Sequence, residues 1–139
     1  MLRNVLAVVV GVIIGGVVNT ALVSAGPLVI APPAGVDMTT AEGLQAGMTL
    51  LEPRHFVFPF LAHAIGTLAG AAVAARAAAS HRRRLALLVG AVFLAGGIMA
   101  ARMIPAPAWF VALDLIVAYV PMAWLGGRLG APSRERLPR

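Results

Sequence analysis

The fold is decided by the stretch from Phe56 to Ala79, which reads FVFPFLAHAIGTLAGAAVAARAAA. Only His63 and Arg76 within it can carry a charge. A helix needs about 20 apolar residues to cross the hydrocarbon core of a bilayer, so this stretch predicts a membrane-spanning helix. Arg76 lies near its end, where a long side chain reaches the headgroups.

Three more apolar runs accompany this one, at residues 5–23, 85–103 and 109–129. With 56–79 they predict four spanning helices in a single membrane domain of residues 1–139. The first run is longer than the hydrophobic region of a typical signal peptide, so we expect a retained span. The predicted fold class is an all-α bundle of four transmembrane helices, because helices satisfy their own backbone hydrogen bonds in lipid.

The composition supports the membrane class. The chain is 60% hydrophobic and 12% charged, with a mean hydropathy of +0.93, whereas soluble domains have about 25% charged residues. A soluble enzyme, a disordered chain and a nucleic-acid-binding domain are therefore disfavoured. The absence of cysteine removes disulfides, thiolate nucleophiles and cysteine metal sites.

The connections between the runs are unequal. Two are short, which predicts antiparallel neighbouring helices, and the long one covers residues 24–55. It contains the capping-box spacing Thr39 to Glu42, and then apolar residues at helical spacing. We expect a short amphipathic helix from Thr40 to Leu51, lying at the membrane surface.

The arginines predict the orientation. Two of the eleven fall on the side of the long connection, and nine fall on the side of the termini. Positively charged loops stay in the cytoplasm. We therefore expect a bacterial inner-membrane protein with both termini and a basic tail (130–139) in the cytoplasm, and loop 24–55 facing outward. The nine are Arg3, Arg76, Arg82, Arg83, Arg84, Arg128, Arg134, Arg136 and Arg139, and the two are Arg54 and Arg102.

The run Arg82-Arg83-Arg84 is the densest positive charge in the chain. Its place between two spans is typical of a topology anchor that contacts anionic lipid headgroups. We therefore expect the lipid bilayer as a partner, and no nucleic acid.

Three polar residues interrupt different spans at similar depth. At about 1.5 Å per helical residue, Asn19 and Asp114 lie about 7 Å inside the outer surface and His63 about 10 Å. Burying such groups against lipid is costly, so they face the bundle interior. We expect His63 and Asp114 within hydrogen-bonding reach, with Asn19 close by. Thr67, one turn from His63, completes the predicted polar cluster.

A second polar group, Glu52, Arg54 and His55, precedes the second span and is expected at its outer mouth. His55 and His63 are eight residues apart, which is not the spacing that places two metal ligands on one helical face. We predict no metal site and no cofactor. The chain shows no nucleophile motif, phosphate loop or paired carboxylates, so catalysis is disfavoured.

Small residues and one proline predict how the helices pack. Steps such as Gly11 to Gly15 and Gly66 to Gly70 allow close helix approach. Pro121 removes a backbone hydrogen bond and predicts a kink in the fourth span. Aromatic side chains at the membrane interface are expected among Trp109, Tyr119 and Trp124.

The stretches from Glu52 to Thr67 (EPRHFVFPFLAHAIGT) and from Leu113 to Gly127 (LDLIVAYVPMAWLGG) resemble small four-span bacterial integral membrane proteins of unassigned function. The resemblance covers most of the chain and implies the membrane class without an activity. The chain lacks the first-span Glu of small multidrug exporters and the cysteine pairs of membrane disulfide-forming enzymes.

Three functions remain open on the sequence. The first is a non-enzymatic structural or interaction subunit, paired with another membrane protein or with itself, which a dry and fully bonded polar cluster favours. The second is a small transporter or proton-coupled binding protein, which a cavity opening outward past Glu52 and His55 favours. The third is a small membrane enzyme, which a pocket lined by His63 and Arg54 favours.

Overall fold

The structure is a computed structural model that describes residues 1–131. Most of the predicted basic tail (130–139) lies outside the described residues, including Arg134, Arg136 and Arg139. The described part is helical without strands.

Four helical segments are long and apolar enough to cross a membrane, as the sequence predicts. Two of them are continuous helices, one begins with a 3₁₀ turn, and one is broken into two helices. The elements are α1 (Leu2–Val29), α2 (Ala41–Gly47), a 3₁₀ turn (Met48–Leu50), a second 3₁₀ turn (Pro53–Phe56), α3 (Val57–Ala77), α4 (Arg82–Met103), α5 (Ala108–Val117) and α6 (Val120–Gly130).

Three of the four spanning segments extend past the predicted apolar runs, whereas α3 ends at Ala77, before the predicted end at residue 79. α4 begins at Arg82, so the three arginines form its first turn and do not belong to the connection between the spans. The amide of Leu85 donates to the carbonyl of His81 (3.1 Å), which starts the helical ladder there. Apolar runs mark the hydrocarbon core, whereas helical hydrogen bonding continues into the headgroup layer.

The predicted kink in the fourth span is confirmed. α5 ends at Val117 and α6 begins at Val120. Pro121 sits in the first turn of α6, where its missing N–H leaves no helical bond unmade. Tyr119 lies at the break itself, with φ −112° and ψ −78°.

The four spans run alternately up and down, and α3 lies at the centre in contact with α1, α4, α5 and α6. α1 and α3 cross at glycines. A Cβ on Gly15 would lie 2.6 Å from the carbonyl oxygen of Gly66, and a Cβ on Gly66 would lie 2.8 Å from that of Gly15. The two backbones therefore touch, and the predicted role of these glycines within the bundle is confirmed.

Alanines fill the space where α3, α4 and α6 meet. Ala71, Ala75, Ala86 and Ala123 form one cluster, and each is fully buried. Side chains of this size let three helix backbones approach closely, which supplies dispersion contacts where lipid offers no hydrophobic driving force.

The long connection folds onto one end of the bundle, which we call the loop end. Thr40 caps α2, since its Oγ1 accepts from the amide of Gly43 (3.1 Å). The helix is shorter than the predicted 40–51 because residues 48–50 tighten into a 3₁₀ turn. Thr39 does not cap the helix but donates its hydroxyl (2.6 Å) and amide (2.8 Å) to Asp37. These two bonds lower the pKa of the Asp37 carboxyl.

Two contacts fasten this connection to the spans. Met48 is buried against Phe56 and Phe110, and the side-chain amide of Gln45 donates to the carbonyl of Met103 (2.7 Å). The second contact satisfies a free carbonyl at the end of α4. The connection thus covers the region where α3, α4 and α5 converge.

The opposite end of the bundle, which we call the basic end, is tied by the start of α1. The Asn4 side-chain oxygen accepts from the amides of Ala79 (2.9 Å) and Ser80 (3.3 Å), and Arg3 donates to the carbonyl of Ala77 (2.9 Å). The arginines of the described chain separate by end. The basic end has Arg3, Arg76, Arg82, Arg83, Arg84 and Arg128, and the loop end has Arg54 and Arg102.

The glycine crossing predicts a contrast between neighbouring substitutions. Gly15→Ala forces α1 and α3 apart and lowers the free energy of unfolding by about 1–3 kcal/mol, the usual cost of overpacking. Gly16→Ala has nothing within 4 Å of the added methyl group. It raises the free energy of unfolding by up to about 1 kcal/mol through helix propensity. Unfolding of both variants in mixed micelles, followed by circular dichroism, measures the contrast, and equal effects would contradict the crossing.

Candidate functional site

The predicted contact between His63 and Asp114 is present. Nδ1 of His63, on α3, lies 2.8 Å from Oδ1 and 3.0 Å from Oδ2 of Asp114, on α5. Because a carboxylate only accepts hydrogen bonds, Nδ1 carries the proton that is shared between them. Matched depth on two helices was enough to predict this pair.

Tyr119 is the partner that the sequence analysis missed. Its hydroxyl donates to Oδ2 of Asp114 (2.8 Å), and its ring stacks on that of His63 with centroids 5.7 Å apart. The expectation of an interfacial role is wrong for Tyr119, which is 2% exposed. The break before Pro121 places it inside the bundle, and Gly97 leaves room, since a Cβ there would collide with the tyrosine hydroxyl.

Together, His63, Asp114 and Tyr119 form what we call the buried network. Both carboxylate oxygens of Asp114 accept hydrogen bonds, so the carboxylate has partners although the residue is only 5% exposed. His63 is the partly accessible member, with 25% of its side chain exposed. Its Nε2 makes no hydrogen bond to any of residues 1–131, and with the proton on Nδ1 it is a free acceptor.

Asn19 and Thr67 do not join the network. Asn19 packs over Gly66 on α3, and Thr67 is fully buried one turn from His63. Neither side chain bonds to His63 or Asp114. Asn19 Oδ1 and Thr67 Oγ1 are buried without a partner in the described part of the chain. Asn19 was expected close to His63 because of its similar depth, but at the glycine crossing its side chain packs against Gly66.

The three residues expected at the outer mouth have different environments. Glu52 and Arg54 form an exposed ion pair (3.1 Å), an interaction of small energetic weight. His55 is buried at 4% exposure. Its Nδ1 accepts from the amide of Glu52 (2.9 Å), and its Nε2–H donates to the carbonyl of Ala31 (3.3 Å). His55 therefore ties the segment after α1 to the turn before α3.

A cavity of about 190 Å³ lies between these groups, below the long connection. Its polar wall residues are His55 near the loop end and His63 with Asp114 deeper in the bundle, whereas Glu52 and Arg54 are not part of the wall. The remaining wall is apolar and comes from the connection and all the spans that meet there. It includes Val23, Leu44, Met48, Ala100, Phe110 and Leu115.

The cavity offers acid–base and hydrogen-bonding chemistry more readily than metal chemistry. Among residues 1–131, no three His, Cys, Asp or Glu side chains lie close enough to hold a metal ion. A carboxylate that accepts from one imidazole nitrogen fixes the tautomer of the ring and leaves the other nitrogen as an acceptor.

Comparisons with known protein families, with curated proteins and with solved structures gave no match.

The network predicts that the Tyr119 hydroxyl stabilises the protein through its hydrogen bond to Asp114. Tyr119→Phe removes one of the two partners of a buried carboxylate, so we expect the free energy of unfolding to fall by about 1–2 kcal/mol. In an Asp114→Leu background the same change has no carboxylate to affect, and its cost drops close to zero. A double-mutant cycle in mixed micelles measures this coupling. An equal cost of Tyr119→Phe in both backgrounds would show that the hydroxyl acts elsewhere.

Proposed function

We propose that the protein is an integral membrane protein that binds a small molecule in its central cavity, with a proton exchanged at the His63–Asp114 pair. The observation that carries this proposal is the cavity wall itself, in which His63 keeps one nitrogen without a partner. A binding site of this kind is concave, mostly apolar and supplied with few polar groups.

Two observations favour binding over the other functions that the sequence leaves open. A purely structural clamp leaves no space and no free polar atom, whereas the pair borders a cavity of about 190 Å³. An enzyme needs a further reactive group on the wall. Arg54 lies outside it, and the wall residues other than His55, His63 and Asp114 are apolar.

We include proton exchange in the proposal because the His63–Asp114 pair is isolated from other charged groups. Asp114 and Tyr119 are the titratable groups in contact with His63, and His55 shares the cavity. α1 and α4 contribute apolar groups alone to the wall. A proton accepted at Nε2 changes that atom from an acceptor to a donor, so protonation changes which ligand group the cavity binds.

Orientation and location complete the proposal. We propose a bacterial inner-membrane location with the basic end in the cytoplasm, because six described arginines lie there against two at the loop end. Arg82, Arg83 and Arg84 would contact anionic headgroups from the first turn of α4. Lipid would cover the exposed apolar faces, which include Ile13 and Val17.

This orientation predicts where reporters become active. A reporter that works only in the cytoplasm should be active when fused after Arg139, and a reporter that works only outside it should be active when inserted beside Asp37. Cytoplasmic activity at Asp37 would contradict the proposed orientation and would leave the cavity argument unchanged.

Filling the cavity tests the binding function. Ala100 lines the cavity from α4, so Ala100→Leu should expel the bound molecule. Gly96→Ala on the same helix meets nothing within 4 Å and serves as the matched control. Mass spectrometry of native-membrane nanodiscs should detect a small molecule with the wild type and the control, and not with Ala100→Leu. Failure to detect one with the wild type, or equal amounts in all three, would refute binding.

A further inference from the structure

The size of the cavity limits what it holds. An apolar protein cavity of about 150 Å³ is known to bind benzene, and the cavity here is about 190 Å³. The space therefore accommodates one aromatic ring system with a few further atoms. A whole lipid acyl chain or a nucleotide exceeds it.

The polarity of the wall limits the ligand to one hydrogen-bonding group. Both oxygens of Asp114 already accept bonds from the network, and both ring nitrogens of His55 are engaged by backbone groups. Among the polar wall residues in the described chain, His63 is the one that keeps a ring nitrogen, Nε2, without a partner. A ligand with a charge or several hydroxyl groups would lose its hydration without replacement.

The sequence of hydrogen bonds from Tyr119 to Asp114 to His63 determines whether Nε2 of His63 donates or accepts a hydrogen bond. Tyr119 holds Asp114 in place through Oδ2 (2.8 Å), and Asp114 keeps the imidazole proton on Nδ1 (2.8 Å). Nε2 then presents a lone pair and accepts a hydrogen bond. The ligand must therefore supply an N–H or O–H donor.

On these grounds, and resting on the proposed binding function, we infer that the cavity takes a neutral aromatic molecule of one ring system with a single N–H or O–H donor, which donates to Nε2 of His63. Indoles and phenols have this chemistry. The same molecules cross a bilayer without charge, which suits a site inside the membrane.

A pair of matched probes tests the donor. Indole has an N–H group, and benzofuran has the same shape with an oxygen in its place. In nanodiscs, the wild type should bind indole about tenfold more tightly than benzofuran, the value of one hydrogen bond. Ligand-observed NMR measures both affinities, and the Ala100→Leu variant in the same nanodiscs corrects for partition of the probes into lipid.

A single variant separates His63 Nε2 from the rest of the network. In His63→Asn the side-chain amide occupies the place of Nδ1 and still donates to Asp114, but nothing replaces Nε2. The preference for indole should disappear in this variant. A readout that needs no variant is the ¹⁵N shift of His63 Nε2, which should respond to indole and not to benzofuran.

The outcomes distinguish this inference from the function on which it rests. Equal affinity of the wild type for the two probes, or a preference for indole that is retained in His63→Asn, overturns the claim that the ligand donates to Nε2 of His63. The cavity then remains a binding site. If neither probe binds but a molecule is found in the native nanodiscs, the cavity binds a ligand that is not a single aromatic ring system. That result overturns the inference about the ligand and leaves the binding function standing. No affinity and no bound molecule overturns both.

Discussion

A carboxylate inside an apolar bundle has to be paired, and the pairing of Asp114 organises the half of this protein nearer the loop end. α3 supplies His63, and the break before Pro121 supplies Tyr119. Gly97 on α4 leaves the space that the tyrosine hydroxyl occupies. Residues from three spans thus meet at this one carboxylate, because an unpaired ion there would cost several kcal/mol. The kink is accordingly part of the site.

The same pairing explains why the site is suited to binding. Both oxygens of Asp114 accept hydrogen bonds within the network, so Asp114 orients His63 but is not available to a ligand. His63 uses Nδ1 to donate to Asp114, and its Nε2 stays without a partner in the described chain. The connection between α1 and α3 then covers the space beside the ring with Leu44 and Met48, and His55 holds that connection to the bundle. The result is a partly open apolar cavity with one acceptor.

The four long apolar helices could be predicted from the sequence because the length of an apolar run responds directly to the thickness of the bilayer. Depth along each span also predicted the contact between His63 and Asp114. Rotation about the helix axes could not be predicted, since several faces of each span are equally apolar. That is why Tyr119 was missed and Asn19 was expected in the network. The cavity was likewise beyond prediction, because it depends on how glycines and alanines set the distances between spans.

The most direct test of this account is the protonation state of each histidine nitrogen, measured by ¹⁵N NMR of histidine-labelled protein in nanodiscs. The account predicts opposite neutral tautomers in one molecule. His63 should carry its proton on Nδ1, facing Asp114, with Nε2 bare. His55 should carry its proton on Nε2, facing the Ala31 carbonyl, with Nδ1 accepting. A proton on Nε2 and none on Nδ1 of His63 would contradict the central claim, because the cavity would then present a donor.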